Sequence, residues 1–103
     1  VLSCLLLAAA VPDNATILTP EGLSSLPLGR RLQKSFLASN AVQCGYCTPG
    51  MLMASYALLS SNPDPSPRQI RDALAGNLCR CTGYEMIVEG VLAARKAREG
   101  DVD

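Results

Sequence analysis

The sequence predicts an all-α domain, a four-helix bundle of two pseudo-symmetric helical hairpins. Three observations carry this expectation. Apolar residues recur at helical spacing from Leu26 onward. Three prolines within Asn62-Pro63-Asp64-Pro65-Ser66-Pro67 force a loop between two helical stretches. A close cysteine pair followed by a Thr-led apolar helix occurs twice, after Cys44-Gly45-Tyr46-Cys47 and after Cys79-Arg80-Cys81. Two hairpins built this way pack as a bundle with both cysteine pairs at one end.

The elements follow in order. Val1–Val11 (VLSCLLLAAAV) is apolar enough for a signal peptide, but it lacks a basic leading region and an initiator Met. It is also too short to span a bilayer, and a buried strand or helix is expected there. Thr16-Ile17-Leu18-Thr19 is short and β-branched and reads as a strand before the Pro20-Glu21-Gly22 turn. The first helix sets Leu28, Leu32 and Phe36 on one face, leaves Arg30, Arg31 and Lys34 for the other, and stops at Asn40. The second starts with Thr48 as N-cap and Pro49 in its first turn, and runs through Met51, Leu52, Tyr56 and Leu59. It is apolar almost all round and is expected to be the most buried. Ser66 and Gln69 form a capping box for the third helix, which carries Ile70, Ala73 and Leu74 and ends at Gly76. Thr82 and Glu85 form a second box, opening a fourth helix with the stripe Ile87, Val91 and Ala94. Arg95, Lys96 and Arg98 fall in its last turn, at the negative end of the helix dipole.

Composition removes several functions. At 103 residues the chain is one domain at most, and 49% apolar content is too high for disorder. Lys+Arg and Asp+Glu are nine each, so a nucleic-acid partner lacks its electrostatic footprint. Histidine is absent, which removes a His general base, His-liganded zinc and a Rieske centre. Five cysteines is an odd number, and their clustered spacing reads as metal or redox chemistry rather than loop stapling.

Two thiolate pairs just ahead of two helix N-termini make a cage for a soft metal centre, with Cys44, Cys47, Cys79 and Cys81 as ligands. A four-thiolate [2Fe-2S] cluster is an anion, and the free N–H groups of the first helical turns stabilise it. Gly45, Gly50 and Gly83 let the backbone come close. Three other readings stay open on spacing alone. The same thiolates suit a structural zinc module. The C-x-x-C pair suits a thiol–disulfide oxidoreductase, although no βαβ frame precedes it and Cys79 and Cys81 would be idle. Inert buried cysteines would leave the repeated pairing and capping without a reason. The spacing, C-x-x-C then 31 residues then C-x-C, differs from the plant-type ferredoxin run.

Gln43-Cys44-Gly45-Tyr46-Cys47-Thr48-Pro49-Gly50-Met51 and Gly76-Asn77-Leu78-Cys79-Arg80-Cys81-Thr82-Gly83-Tyr84 closely resemble the helical [2Fe-2S] domain of the xanthine dehydrogenase family. These molybdenum hydroxylases include aldehyde and carbon monoxide dehydrogenases and bacterial N-heterocycle hydroxylases. The resemblance covers Pro20 to Lys96. It implies that residues 20–103 are the helical cluster domain and residues 1–19 the tail of a preceding ferredoxin-like α+β domain. Val1-Leu2-Ser3-Cys4-Leu5-Leu6-Leu7 resembles the segment bearing that domain's last ligand. Cys4 would then be the fourth ligand of a second [2Fe-2S] cluster whose other cysteines lie upstream, the plainer reading being a lone buried thiol.

The resemblance also implies a function. A large molybdopterin-binding subunit hydroxylates a substrate carbon, and electrons leave singly through this cluster, a second [2Fe-2S] cluster and usually a flavin (FAD) subunit. The chain would be an electron carrier in a multi-subunit oxidoreductase, not catalytic alone. Gln43 and Cys81 are expected to contact the molybdopterin cofactor, Gln43 otherwise being an ordinary polar residue at a helix end. Tyr46 and Tyr84 are interface anchors or, more plainly, core residues. Glu85-Met86 stands where relatives often carry Gln-Asn, and Glu keeps the capping chemistry. No membrane span is expected, and the location implied is cytoplasmic, the periplasm being the other candidate.

Overall fold

Four α-helices surround one core in the computed structural model, which describes residues 3–97 and their side chains as far as Arg95. They are α1 (Pro27–Ala38), α2 (Thr48–Ser61), α3 (Pro67–Leu74) and α4 (Glu85–Ala97). Each helix packs on the next and α4 closes back onto α1, the ring of contacts that defines a bundle. The α1–α4 and α2–α3 contacts are the most extensive. A 3-10 helix at Pro20–Ser25 leads into α1 and buries Leu23 beneath it.

The helical periodicity delivers the core. Leu32 and Phe36 come from α1, Met51, Leu52 and Leu59 from α2, Ile70 and Leu74 from α3, and Ile87, Val91 and Ala94 from α4. Ala73 is exposed and Tyr56 half-buried. Asn40 adopts φ 59, and the Ala41 N–H closes the end of α1 by donating to the Phe36 carbonyl at 2.9 Å. This turn sends the chain toward Cys44. The capping box at α3 has both of its bonds: Gln69 N–H donates to Ser66 Oγ at 3.2 Å and Ser66 N–H to Gln69 Oε1 at 2.8 Å.

Two glycines set the helix spacing. At Gly90 a Cβ would sit 3.0 Å from the Phe36 ring and from Ser39 Oγ, so its absence lets α1 and α4 close. At Gly29 a Cβ would fall on the Leu23 carbonyl, a backbone group with no rotamer to yield. Gly29→Ala is therefore expected to lift the Pro20–Ser25 segment off α1 and cost about 3 kcal/mol, the upper range for overpacking. Thermal denaturation checks this, and an unchanged melting temperature would contradict it.

Several expectations need correction. Thr16–Thr19 is extended but forms no strand, because no partner strand exists among the described residues and Ile17 is 74% exposed. Ser3–Val11 is not buried either. It forms two three-residue 3-10 turns that leave Leu5, Leu6 and Leu7 exposed. The α2 N-cap is Cys47 rather than Thr48: the Cys47 carbonyl accepts the Met51 N–H at 3.0 Å, and the buried Thr48 hydroxyl has no partner. Helix α4 starts at Glu85, so the box from Thr82 does not form. The Thr82 hydroxyl engages Cys79 and the Tyr84 N–H instead, and the Glu85 carboxylate pairs with Arg71 at 2.8 Å. Gly76 follows α3 without a left-handed φ, the Asn77 N–H closing that end onto the Leu74 carbonyl at 2.9 Å. Of the basic residues expected at the end of α4, Arg95 donates to the Pro65 carbonyl at 2.8 Å and pairs with Asp64 at 3.2 Å. The side chain of Lys96 and all of Arg98 lie outside the described residues.

Candidate metal centre

The segment after α1 and the segment after α3 meet at one end of the bundle and carry the two cysteine pairs. Gly45 takes φ 85 between Cys44 and Cys47, a turn that only glycine makes without strain. In the second loop Gly83 and Tyr84 are left-handed in succession, at φ 70 and 74. For tyrosine this conformation is costly, and its ring is held in place by a hydrogen bond. The Cys79 N–H donates to the Tyr84 hydroxyl at 3.0 Å.

The leading thiol–thiol contacts run across the hairpins, with weaker interactions inside each loop. Cys47 lies against Cys79 and Cys81 against Cys44, close enough that Cys79 raises the Cys47 thiol and Cys44 raises the Cys81 thiol. Cys44 and Cys81 are exposed while Cys47 and Cys79 are half-buried, so the four straddle the protein surface. Backbone donors already point at sulfur: Tyr46 N–H reaches Cys44 Sγ at 3.5 Å and Thr82 N–H reaches Cys79 Sγ at 3.4 Å. The Thr82 hydroxyl lies 3.1 Å from the Cys79 sulfur.

This donor set fits a [2Fe-2S] centre. The candidate donors are all thiols, they approach one another from the two loops, and N–H groups are ready to stabilise an anion.

Electrostatics separate the thiols. The Thr82 hydroxyl bonded to Cys79 brings that thiol down to about 7. Burial, followed by the neighbouring Cys79, pushes Cys47 up to about 11. Cys81 is raised by its contact with Cys44. The folded pKa of Cys79 lies below the ordinary 9.0, so its contribution to stability is full above pH 9 and is lost as pH falls through about 7. The folded pKa of Cys47 lies above 9.0, so its contribution is full below pH 9 and is lost as pH rises through about 11. Metal-free protein is expected to show one thiolate titrating near pH 7 by ultraviolet absorbance, absent in Cys79→Ser. A first thiolate appearing only near pH 9 would contradict this.

The remaining expected residues are placed as follows. Gln43 is exposed beside Cys44, with its Nε2 4.0 Å from the Met86 sulfur. Cys4 is exposed on the Ser3–Leu5 turn, which packs against none of the helices, so it stands apart from the four and is not a buried thiol. Tyr46 is 93% exposed and Tyr84 is also exposed, so neither is a core residue. Leu78, next to Cys79 in the chain, is exposed as well, so the three give the cysteine loops an apolar rim. Sequence reasoning missed the Thr82 and Tyr84 hydroxyls at Cys79. The signal was Thr82 three residues after Cys79, whose hydroxyl was assigned to helix capping with Glu85.

These features define an iron–sulfur protein. A family model described as "[2Fe-2S] binding domain" matches residues 19–92, and the chain belongs to that family. The zinc and thiol–disulfide readings are thereby set aside. The chain is 51% identical over 84 residues to the nicotinate dehydrogenase small FeS subunit of Eubacterium barkeri, covering 82% of this chain and 53% of that one. It is 51% identical over 92 residues to the nicotine 6-hydroxylase small subunit of Paenarthrobacter nicotinovorans, covering 89% and 54%. The chain thus spans about half the length of these curated relatives. Among solved structures, aldehyde oxidoreductase from Desulfovibrio gigas superposes with a TM-score of 0.85 at 35% identity, covering 94% of this chain and 11% of that one. Quinoline 2-oxidoreductase from Pseudomonas putida 86 superposes at 0.70 with 46% identity, covering 82% and 54%. No described helix is long and apolar enough to cross a membrane.

Proposed function

We propose that this chain is the electron-transfer part of a molybdopterin-dependent hydroxylase or dehydrogenase. It passes single electrons from a molybdenum–pterin site on a large subunit toward a second [2Fe-2S] cluster and a flavin subunit. The observation that carries this reading is the cross-paired thiol cage, open to solvent on one edge, in a chain of the [2Fe-2S] binding family. Cys44, Cys47, Cys79 and Cys81 would hold the centre, Cys44 with Cys81 and Cys47 with Cys79 being the pairs that meet across the loops. When bound, the centre takes up and releases one electron. The protein fixes its position through the two loops and presents its Cys44–Cys81 edge to a partner.

The apolar rim of Tyr46, Leu78 and Tyr84 is the surface for that partner, since aromatic residues anchor interfaces around a desolvated centre. Exposed Gln43, and Cys81 on the same edge, are the contacts proposed for the molybdopterin cofactor. Residues 1–19 are the end of a preceding ferredoxin-type domain, with Cys4 a ligand of the second cluster. The uncovered Leu5, Leu6 and Leu7 suit a segment that packs on further chain. The location proposed is cytoplasmic.

In the assembled enzyme, Gln43→Ala is expected to slow electron transfer or weaken subunit association about tenfold, with the cluster's spectrum unchanged. Single-turnover reduction of the cluster and subunit titration measure this. Unaltered turnover would remove the pterin-contact role.

A further inference from the structure

The Cys79 sulfur is approached by two donors from one residue, the Thr82 N–H at 3.4 Å and the Thr82 hydroxyl at 3.1 Å. Thr82 is buried, and its hydroxyl oxygen accepts the Tyr84 N–H at 3.1 Å. An oxygen so engaged keeps its proton free for another acceptor, and a metal-bound thiolate can only accept. The hydroxyl must therefore donate to sulfur. Tyr84 holds this relay in place: its left-handed backbone, φ 74, aims the N–H at Thr82 while its own hydroxyl takes the Cys79 N–H at 3.0 Å. Strained conformations of this kind persist where the surroundings over-determine them, and they gather at functional sites.

We infer that Thr82 is a positioning residue that acts through the Cys79 sulfur to raise the reduction potential of the cluster. The inference rests on the ligand assignment proposed above. When one electron is taken up, part of the added negative charge falls on the ligand sulfurs. A fixed O–H dipole aimed at one of them stabilises that state more than the oxidised one. No bond forms or breaks, and the proton stays on Thr82. Valine has nearly the same shape and no hydroxyl, whereas serine keeps the hydroxyl.

The test is an EPR-monitored redox titration of the cluster-loaded full chain with dithionite, following the signal that Cys79→Ser abolishes. In Thr82→Val the ratio of reduced to oxidised cluster at a fixed potential is expected to fall about tenfold, equivalent to about 59 mV for one electron. Thr82→Ser is expected to restore the wild-type midpoint. An unshifted midpoint in Thr82→Val, or a serine variant shifted as far as the valine one, would overturn the inference while leaving the ligand assignment standing. Loss of the signal in both Thr82→Val and Thr82→Ala would assign Thr82 a purely structural role and overturn it as well. Absence of any [2Fe-2S] signal in the unaltered chain would instead refute the ligand assignment.

Discussion

Replacing Cys79 by serine is expected to strip the cluster from the protein and loosen the bundle. The two cysteine-bearing loops share no helix or strand among the described residues, so a centre bound by both would tie them together. A hard alkoxide or hydroxyl in place of a soft thiolate weakens one iron's coordination, and the loss returns through the folding equilibrium. Metal binding to a folded site is part of the folding free energy. Ligand excess stabilises a fold by about 2.7 kcal/mol at 100 times Kd and about 4.1 at 1,000 times. Against a typical total of about 5–15 kcal/mol, a loss of several kcal/mol leaves so small a domain partly unfolded at physiological temperature. Visible absorbance and chemical denaturation of the loaded protein measure the two effects. Cys4→Ser, on a turn remote from the helices, is the control expected to leave this cluster's spectrum intact. Loss of the signal in that variant would mean that the ligand set is wrong.

Phe36→Ala should be nearly as damaging without touching a ligand. Phe36 is the largest fully buried side chain, packed where Gly90 brings α4 against α1. Truncation leaves a cavity between the two helices with the most extensive contact, and such changes cost about 3–5 kcal/mol. The effect should reach the site. Phe36 lies one turn before the Asn40 stop that directs the chain to Cys44, and Ser39 Oγ ties the same end of α1 to the Met86 carbonyl at 3.1 Å. The variant is therefore expected to bind its cluster more weakly as well as melt earlier. A melting temperature within a degree or two of wild type would contradict the packing account.

The helices were legible because their information is local and periodic. Leu32 and Phe36, and likewise Ile87, Val91 and Ala94, repeat at the interval that puts them on one face, and all are buried. The Ser66–Gln69 box was legible because neither side chain has a stronger partner nearby. Thr82 differs. The same residue type at the same spacing found a thiol within reach and bonded to that, moving the start of α4 to Glu85. Thr48 failed for a related reason, since the cysteine before it ends the Cys44–Cys47 turn and its carbonyl serves as the cap. Thr16–Thr19 carries strand propensity, but a strand exists only with a ladder partner, and propensity does not reveal whether one is present. The four cysteines could be singled out from spacing. Their cross-hairpin pairing could not, because it depends on how the two loops meet in space.

Cys44, Cys47, Cys79 and Cys81 are expected to hold one [2Fe-2S] centre together. EPR spectroscopy of the anaerobically reconstituted chain after dithionite reduction tests it most directly, alongside iron, sulfide and zinc analysis of the same sample. A brown protein with iron and sulfide in equal amounts and a one-electron [2Fe-2S] signal is expected. That signal should vanish when any of the four cysteines is replaced and persist in Cys4→Ser. A colourless protein holding stoichiometric zinc and no paramagnetic signal after reduction would contradict it.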